Sequence, residues 1–364
     1  MWFKVTKTRA LPIGIDLGTA AVKIVQLRRL EGQLELGGAV CEEVPSDCRG
    51  DVRSRLDFLA SQLHRLLKED AFTGRRCVLS LPAEATFVQH VKTAKLTAEE
   101  LAQSLRHELA GKAPFDPGEA IVRHVIAGET YNEGDPGQEV IVIAASRQTV
   151  EAYLELARRS KLRIVALDVE PCAIVECFAR LFRRSEDSAR VTLFLDLGQA
   201  NTQVVITHGA KLVFARNLSL GSHHVDEAVG ARLGVSVEEA ACTRKKMLDS
   251  VDEAGWADRV YDCMREVMES IVGEITKCLR YYESVFPSRP VERAIFLGGQ
   301  AADKRLCQGI AQRLNLPAQI GDPLARMQRA NRTGSDPRMD RRRPQPVWAV
   351  AVGLSIGAEL PEAA

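Results

Sequence analysis

The sequence predicts an α/β protein of two similar halves, with a small α+β unit inserted in the first. Three observations predict it. "IGIDLGTAAVKIVQL" (13–27) and "LFLDLGQANTQVVIT" (193–207) repeat one pattern: apolar strand, Asp-Leu-Gly, short polar turn, strand. Two such hairpins, each opening a half-chain, suggest an internal duplication. Strands and amphipathic helices alternate through much of the rest, and one block between the repeats reads β-α-β-β-α, the order of a compact α+β unit.

The elements follow in order. Residues 13–44 read as strand, turn, strand and a third strand. An amphipathic helix spans 52–69, with Leu56, Leu59, Leu63 and Leu67 at helical spacing. "RCVLSLP" (76–82) is a buried strand stopped by Pro82. The inserted block covers about 84–166. In it, strand "TFVQHVKTA" leads to the capping box Thr97-Ala-Glu-Glu100 and a helix with Leu101, Leu105 and Leu109 on one stripe. A strand (120–126), a turn-rich loop, strand "EVIVIAAS" and a helix (149–160) complete it. A strand and helix then close a first half of 11–83 plus 167–190. The second half runs 191–358, with a helical subdomain at about 222–290 and an exposed Arg/Pro-rich loop at 325–346.

Bulk properties narrow the function. A chain of 364 residues, 46% hydrophobic and 27% charged, is that of an ordinary soluble globular protein. A net charge of +1 and 5% aromatics give no reason to expect nucleic acid as a partner. The nine cysteines are scattered without zinc-ligand spacing, which fits reduced thiols and a cytoplasmic protein. No window is long and apolar enough to cross a bilayer, so membrane contact is expected only through partners. The basic start, "MWFKVTKTRALP", reads as a tail, with a weak interfacial anchor as the alternative.

A lone carboxylate inside so much aliphatic sequence needs a reason, because burying a charge unpaired is expensive. Facing hairpins would bring Asp16 and Asp196 to one cleft. Two close carboxylates repel unless a cation lies between them. Gly18 and Gly198 let backbone N–H groups turn towards an anion. Carboxylates for a metal beside amides for phosphate make a nucleotide site.

These residues resemble the phosphate motifs of the actin-like ATPase superfamily, whose fold is a duplicated ribonuclease H-like unit. "GIDLGTAAVK" (14–23) matches the first, "LDLGQANT" (195–202) the second, "VEPCAIVECFA" (169–179) the first connecting motif and "AIFLGGQAADKRL" (294–306) the adenosine motif. The resemblance implies ATP and Mg²⁺ as ligands. Asp16 and Asp196 would hold the metal. Gly18, Thr19, Lys23, Gly198 and Thr202 would line the phosphates. Gly221, Gly298 and Gly299 would face the adenosine, with Arg244 or Lys245 and Glu239 flanking it. Glu170 would position the attacking water. Plainer roles stand beside these: turn-capping aspartates, a solvated strand lysine, and an acid at a helix N-terminus. His223-His224 reads as a surface pair, since adjacent residues do not share a helix face. Gln300 stands where a third glycine is usual, and Gln199 and Ala200 replace small residues of the second turn.

Within the superfamily, "KAPFDPGEA", "EVIVIAASRQTVEAYLELARRSKLRIVALDVEPCAIV" and "NLSLGSHHVDEAVGARLGVSVEEA" resemble the PilM family, cytoplasmic actin-like components of type IV pilus assembly related to FtsA. The resemblance implies an FtsA-type extra subdomain at about 84–166 and a groove beside it for the N-terminal tail of a PilN-type inner-membrane protein, with apolar residues supplied by the helix 98–111 and the following "KAPF" near the boundary with the first half. It leaves open other platform partners, self-association and whether ATP is turned over slowly or only bound. An FtsA-like polymer and a small-molecule kinase of the same fold are the alternatives. The first is disfavoured because the chain reaches "GAELPEAA" soon after its closing helix, the second because no substrate-positioning Asp is evident.

Overall fold

The computed structural model describes residues 9–68, 72–132, 135–182, 184–249, 255–328 and 342–357. β-Branched and aliphatic residues build a first antiparallel meander from β1 (Arg9–Leu17), β2 (Ala21–Leu30) and β3 (Gln33–Glu43). A short α1 (Ser46–Arg49) precedes α2 (Val52–Leu66), whose N-cap Asp51 accepts from Ser54 N at 2.7 Å. β4 (Arg76–Leu81) lies parallel to β1. The insertion follows as β5 (Phe87–Ala94), α3 (Ala98–Leu109), β6 (Ala120–Asn132) and β7 (Asp135–Ser146). The chain returns through α4 (Arg147–Arg159), β8 (Arg163–Val169) and α5 (Glu170–Ala179).

The second half begins with the meander β9 (Val191–Leu197), β10 (Thr202–His208) and β11 (Lys211–Leu218). Three helices follow: α6 (Ser222–Leu233), α7 (Val237–Asp249) and α8 (Trp256–Val285). β12 (Arg293–Leu297), α9 (Lys304–Leu314), β13 (Ala318–Ile320) and α10 (Ala349–Gly357) follow among the described residues.

The duplication extends well beyond the hairpins. One sheet is ordered β3-β2-β1-β4-β8 and the other β11-β10-β9-β12-β13. In both, the meander is antiparallel and the last two strands run parallel to the first. The linking helices exchange sheets. α5 packs on the second sheet, where Phe178 meets Phe194 with ring centroids 5.0 Å apart. α10 packs back on the first, where Ser355 Oγ donates to Pro12 O at 2.8 Å. The two helices touch backbone to backbone: a Cβ added at Gly353 would lie 1.8 Å from Ala173 O.

The inserted unit differs from expectation at its end. The expected boundary at 166 falls inside β8, which pairs with β4 of the first sheet. α4 also belongs there by packing: Val150, Tyr153, Leu156 and Ala157 share a core with Leu59 and Leu63 of α2. The separate core of the insertion holds Val91, Leu101, Leu105, Leu109, Val140, Val142 and Ala144, under a sheet ordered β5-β7-β6. The stretch 128–138, expected as a loop, is mostly ladder among the described residues, because polar residues on an antiparallel hairpin still satisfy their backbone groups.

The insertion also packs on the second half. Fully buried Glu139 of β7 lies 2.9 Å from His90 Nδ1 and accepts from Tyr281 of α8 at 2.8 Å. His90 Nε2 sits 3.2 Å from the Ala215 carbonyl of β11. Leu324 and Met327 are buried, so the segment expected as an exposed loop from 325 begins in the core. Its residues 329–341, like 1–8, lie outside those described.

Candidate functional site

The two hairpins repeat each other in register. Asp16 on β1 stands opposite Lys23 on β2, and Asp196 on β9 stands opposite Gln203 on β10. Each turn is too tight for a side chain at its glycine: a Cβ would come within 3.0 Å of Ala21 O at Gly18 and 2.9 Å of Asn201 O at Gly198.

The first hairpin holds an ion pair. Lys23 Nζ donates to Asp16 Oδ2 at 2.7 Å. Burial alone would lower the lysine pKa, but the carboxylates of Asp16 and then Asp196 outweigh it and hold the ammonium above its ordinary value. On the second hairpin, burial pushes Asp196 up to about 6, while Lys23 pulls it down and Asp16 adds repulsion. Glu170, at the start of α5, is pushed up to about 8 by burial, then by Asp16 and Asp196. Gln203 Nε2 opposes this by donating to Glu170 Oε2 at 2.7 Å. Two hairpins and one helix start therefore gather three carboxyl groups and one ammonium. Such a cluster is short of positive charge.

The donor set fits a hydrated Mg²⁺. Among the described residues no group of three or more His, Cys, Asp or Glu is arranged to cage a metal. Mg²⁺ is commonly held by one or two carboxylates with water and phosphate filling the rest, and Asp16 with Asp196 supply that.

The 294–306 motif touches the second hairpin directly. Gly298 has φ +81°, and a Cβ there would lie 2.2 Å from Asp196 Oδ1. At Gly299 a side chain would meet open space, so the close approach is made by Gly298. Gly221 lets α6 start against the second turn, since a Cβ would lie 2.3 Å from Gln199 O. Ser222 N and His223 N donate to Gly198 O and Gln199 O at 3.0 and 2.9 Å. Two donors of the helix start are thus used by the turn itself.

The hydroxyls have other partners than phosphate in this arrangement. Thr202 Oγ1 donates to Leu220 O at 2.7 Å, which ties β10 to the approach of α6. Thr19 Oγ1 donates to Glu84 Oε1 at 3.4 Å. Arg244 is buried and bridges Asp226 at 2.5 Å and Gln300 at 2.6 Å. Lys245 is exposed beside Glu43, and Glu239 caps α7 through Ser236. His224 accepts from Gly221 N at 3.2 Å, while His223 lies by Glu227 on the surface.

Sequence reasoning missed Gln203, Glu84 and Arg55. The repeat itself points to Gln203, which stands seven residues after Asp196 as Lys23 stands seven after Asp16. Arg55 is buried, with its guanidinium 2.6 Å from Glu84 Oε1. Its signal was an arginine in register with Leu59 and Leu63 on the buried face of α2.

The model of a family described as "Type IV pilus assembly protein PilM" matches residues 14–358. This chain belongs to the PilM family. Among solved structures it is similar to a PilM-PilN type IV pilus biogenesis complex, at 23% identity and TM-score 0.78, over 96% of this chain and 99% of that one. It is also similar to the ethanolamine utilization protein EutJ of Carboxydothermus hydrogenoformans, at 12% identity and TM-score 0.56, over 95% and 89%. The expected actin-like fold is the fold this member of the family has.

Proposed function

We propose that this chain is an ATP-binding scaffold of a type IV pilus assembly platform, placed at the inner membrane by the N-terminal tail of a PilN-type protein. The observation that carries this is the meeting of the two hairpins. Only the pairing of halves brings Asp16, Lys23, Asp196 and Glu170 together, which supports a site at the seam where a nucleotide would bridge them. Asp16 and Asp196 would hold Mg²⁺, which supplies charge neutralisation at the phosphates. Lys23 would turn from Asp16 towards phosphate as a point charge. Glu170, which burial and its neighbours keep protonated at neutral pH, would release its proton only when positive charge arrives beside it.

The tail reading rests on the family and on a surface. β8 is an edge strand of the first sheet with exposed Val165, and α4 beside it exposes Leu154. An extended peptide could add to that edge and cover both apolar side chains. Among the described residues no helix is long and apolar enough to cross a membrane, which fits attachment through a partner.

Calorimetry tests the whole reading. Asp16→Ala or Asp196→Ala should weaken Mg-ATP binding roughly ten- to a hundredfold, the worth of a hydrogen bond to a charged group. A PilN-type N-terminal peptide from the same genome should bind, and bind differently once ATP is present, because a ligand shifts an equilibrium by its differential affinity. Unchanged ATP affinity in both variants, with folding intact, removes the site. Equal peptide affinity with and without ATP removes the coupling.

A further inference from the structure

Beyond the second turn the seam continues into the second half as a narrow pocket. Gly198 and Thr202 line it on the side of the second turn, and Val225, Met268, Ile271, Leu306 and Ile310 give it apolar walls. A nucleotide whose phosphates rest on the Gly198 turn would send its base this way. Apolar walls suit a flat heteroaromatic ring. The volume does not: the pocket holds about 20 Å³. That is room for about one water, and a purine needs several times more.

What closes it is a side-chain bridge. Gln300 sits in the turn after β12, where Gly298 reverses the chain. Its Oε1 accepts from Arg244 Nη2 at 2.6 Å. Arg244 reaches across from α7, anchored by Asp226 of α6 at 2.5 Å. The bridge joins the helical pair to the β12–α9 turn over the pocket. One feature is left unsatisfied: Arg244 Nε is buried and finds no acceptor among the described residues. A buried guanidinium N–H without a partner is costly, and a polar ring edge entering the pocket would remove that cost.

We infer that Gln300 and Arg244 form a latch over the base pocket, and that a nucleotide base enters by displacing Gln300 from Arg244. This rests on the nucleotide reading above and adds its gate. Asp226 keeps Arg244 in place, so the guanidinium stays as one wall, while Gln300 swings out. With a glycine at 300 the pocket would have no latch. With a glutamate the latch would become an ion pair, held more tightly in a buried setting.

The two substitutions therefore push in opposite directions. A fluorescent ATP analogue mixed rapidly with the full-length protein should bind about tenfold faster, and more tightly, to Gln300→Gly than to wild type. It should bind about tenfold more slowly to Gln300→Glu. Gln300→Ala should resemble the glycine variant, which separates the latch from any effect of backbone freedom at this turn. Thermal melting of each variant checks that the fold is retained. Binding that appears only in Gln300→Gly and Gln300→Ala would show the latch at its strongest. If wild type binds and all three variants match its rate, the latch is overturned while the nucleotide site stands. If neither wild type nor Gln300→Gly binds the analogue, the nucleotide reading fails and the latch with it.

Discussion

The first hairpin answers its aspartate with a cation; the second sets an amide opposite its own and gives that amide to another acid. Both share strand order, register and the seven-residue step from Asp16 to Lys23 and from Asp196 to Gln203. The backbones are thus equivalent, and one side chain per hairpin sets the electrostatics. Asp16 is paired at 2.7 Å. Asp196 has no such partner on its own hairpin, and Gln203 is given to Glu170 instead. The first half stores the positive charge of the site, and the second half leaves a carboxylate that wants more of it. A duplicated fold can build an asymmetric site by changing only the residue opposite the aspartate.

Making the first hairpin like the second should have the largest effect. Lys23→Gln leaves buried Asp16 without its cation. Removing one partner of a buried pair typically costs roughly 3–5 kcal/mol, because the other charge is stranded. Urea denaturation should show a loss near the lower end, since Lys23 is 19% exposed. A loss under about 1 kcal/mol would mean that the pair is worth no more than a surface salt bridge.

The second hairpin is probed through Glu170. Its carboxyl sits at about 8 in the folded protein against an ordinary 4.5. Between those values the folded state binds more protons than the unfolded, so this group's contribution to stability falls as pH rises through the window. Glu170→Gln removes that penalty and keeps an oxygen for Gln203. The variant should match wild type near pH 4.5 and be more stable by a few kcal/mol at pH 8. Urea midpoints from pH 5 to 8 measure it. A difference that does not change with pH would show that Glu170 is not held protonated. If Glu170 also orients water, the same variant should keep ATP affinity and lose turnover.

Much of this was legible in the sequence, for physical reasons that can be named. The hairpins could be read because strand periodicity and Asp-Leu-Gly are local signals, and a repeat multiplies them. Order and type of the main elements followed in the same way, from Thr97–Glu100 at the start of α3 to the long apolar stripe of α8. The end of the insertion could not be read. Whether α4 packs on β7 or on α2 is decided by tertiary contact, and its amphipathic pattern is the same in either case. The lean of the insertion on the second half was hidden for a like reason: Glu139 and His90 are 49 residues apart, and Tyr281 is a further 142 beyond Glu139. Gln300 was visible as a departure from the family glycine and Arg244 as a candidate beside the adenosine, but their pairing was not.

The smallest expected effect lies at Thr202, and it bears most directly on how far the two hairpins differ. Its counterpart in the first hairpin is Val22, at the same register position opposite Leu17, as Thr202 is opposite Leu197. Both are buried, so the two differ mainly in the hydroxyl. That hydroxyl donates to Leu220 O at 2.7 Å, which makes it a tie within the fold. Thr202→Val copies the first hairpin into the second and leaves the Leu220 carbonyl without this donor. Stability should fall by about 1 kcal/mol, the net worth of one hydrogen bond, while Mg-ATP affinity changes less than twofold. Denaturation and calorimetry on the one variant give both numbers. The opposite pattern, unchanged stability with tenfold weaker ATP, would mean that the hydroxyl leaves Leu220 to meet phosphate. The second turn would then contact the nucleotide through a side chain that the first turn lacks.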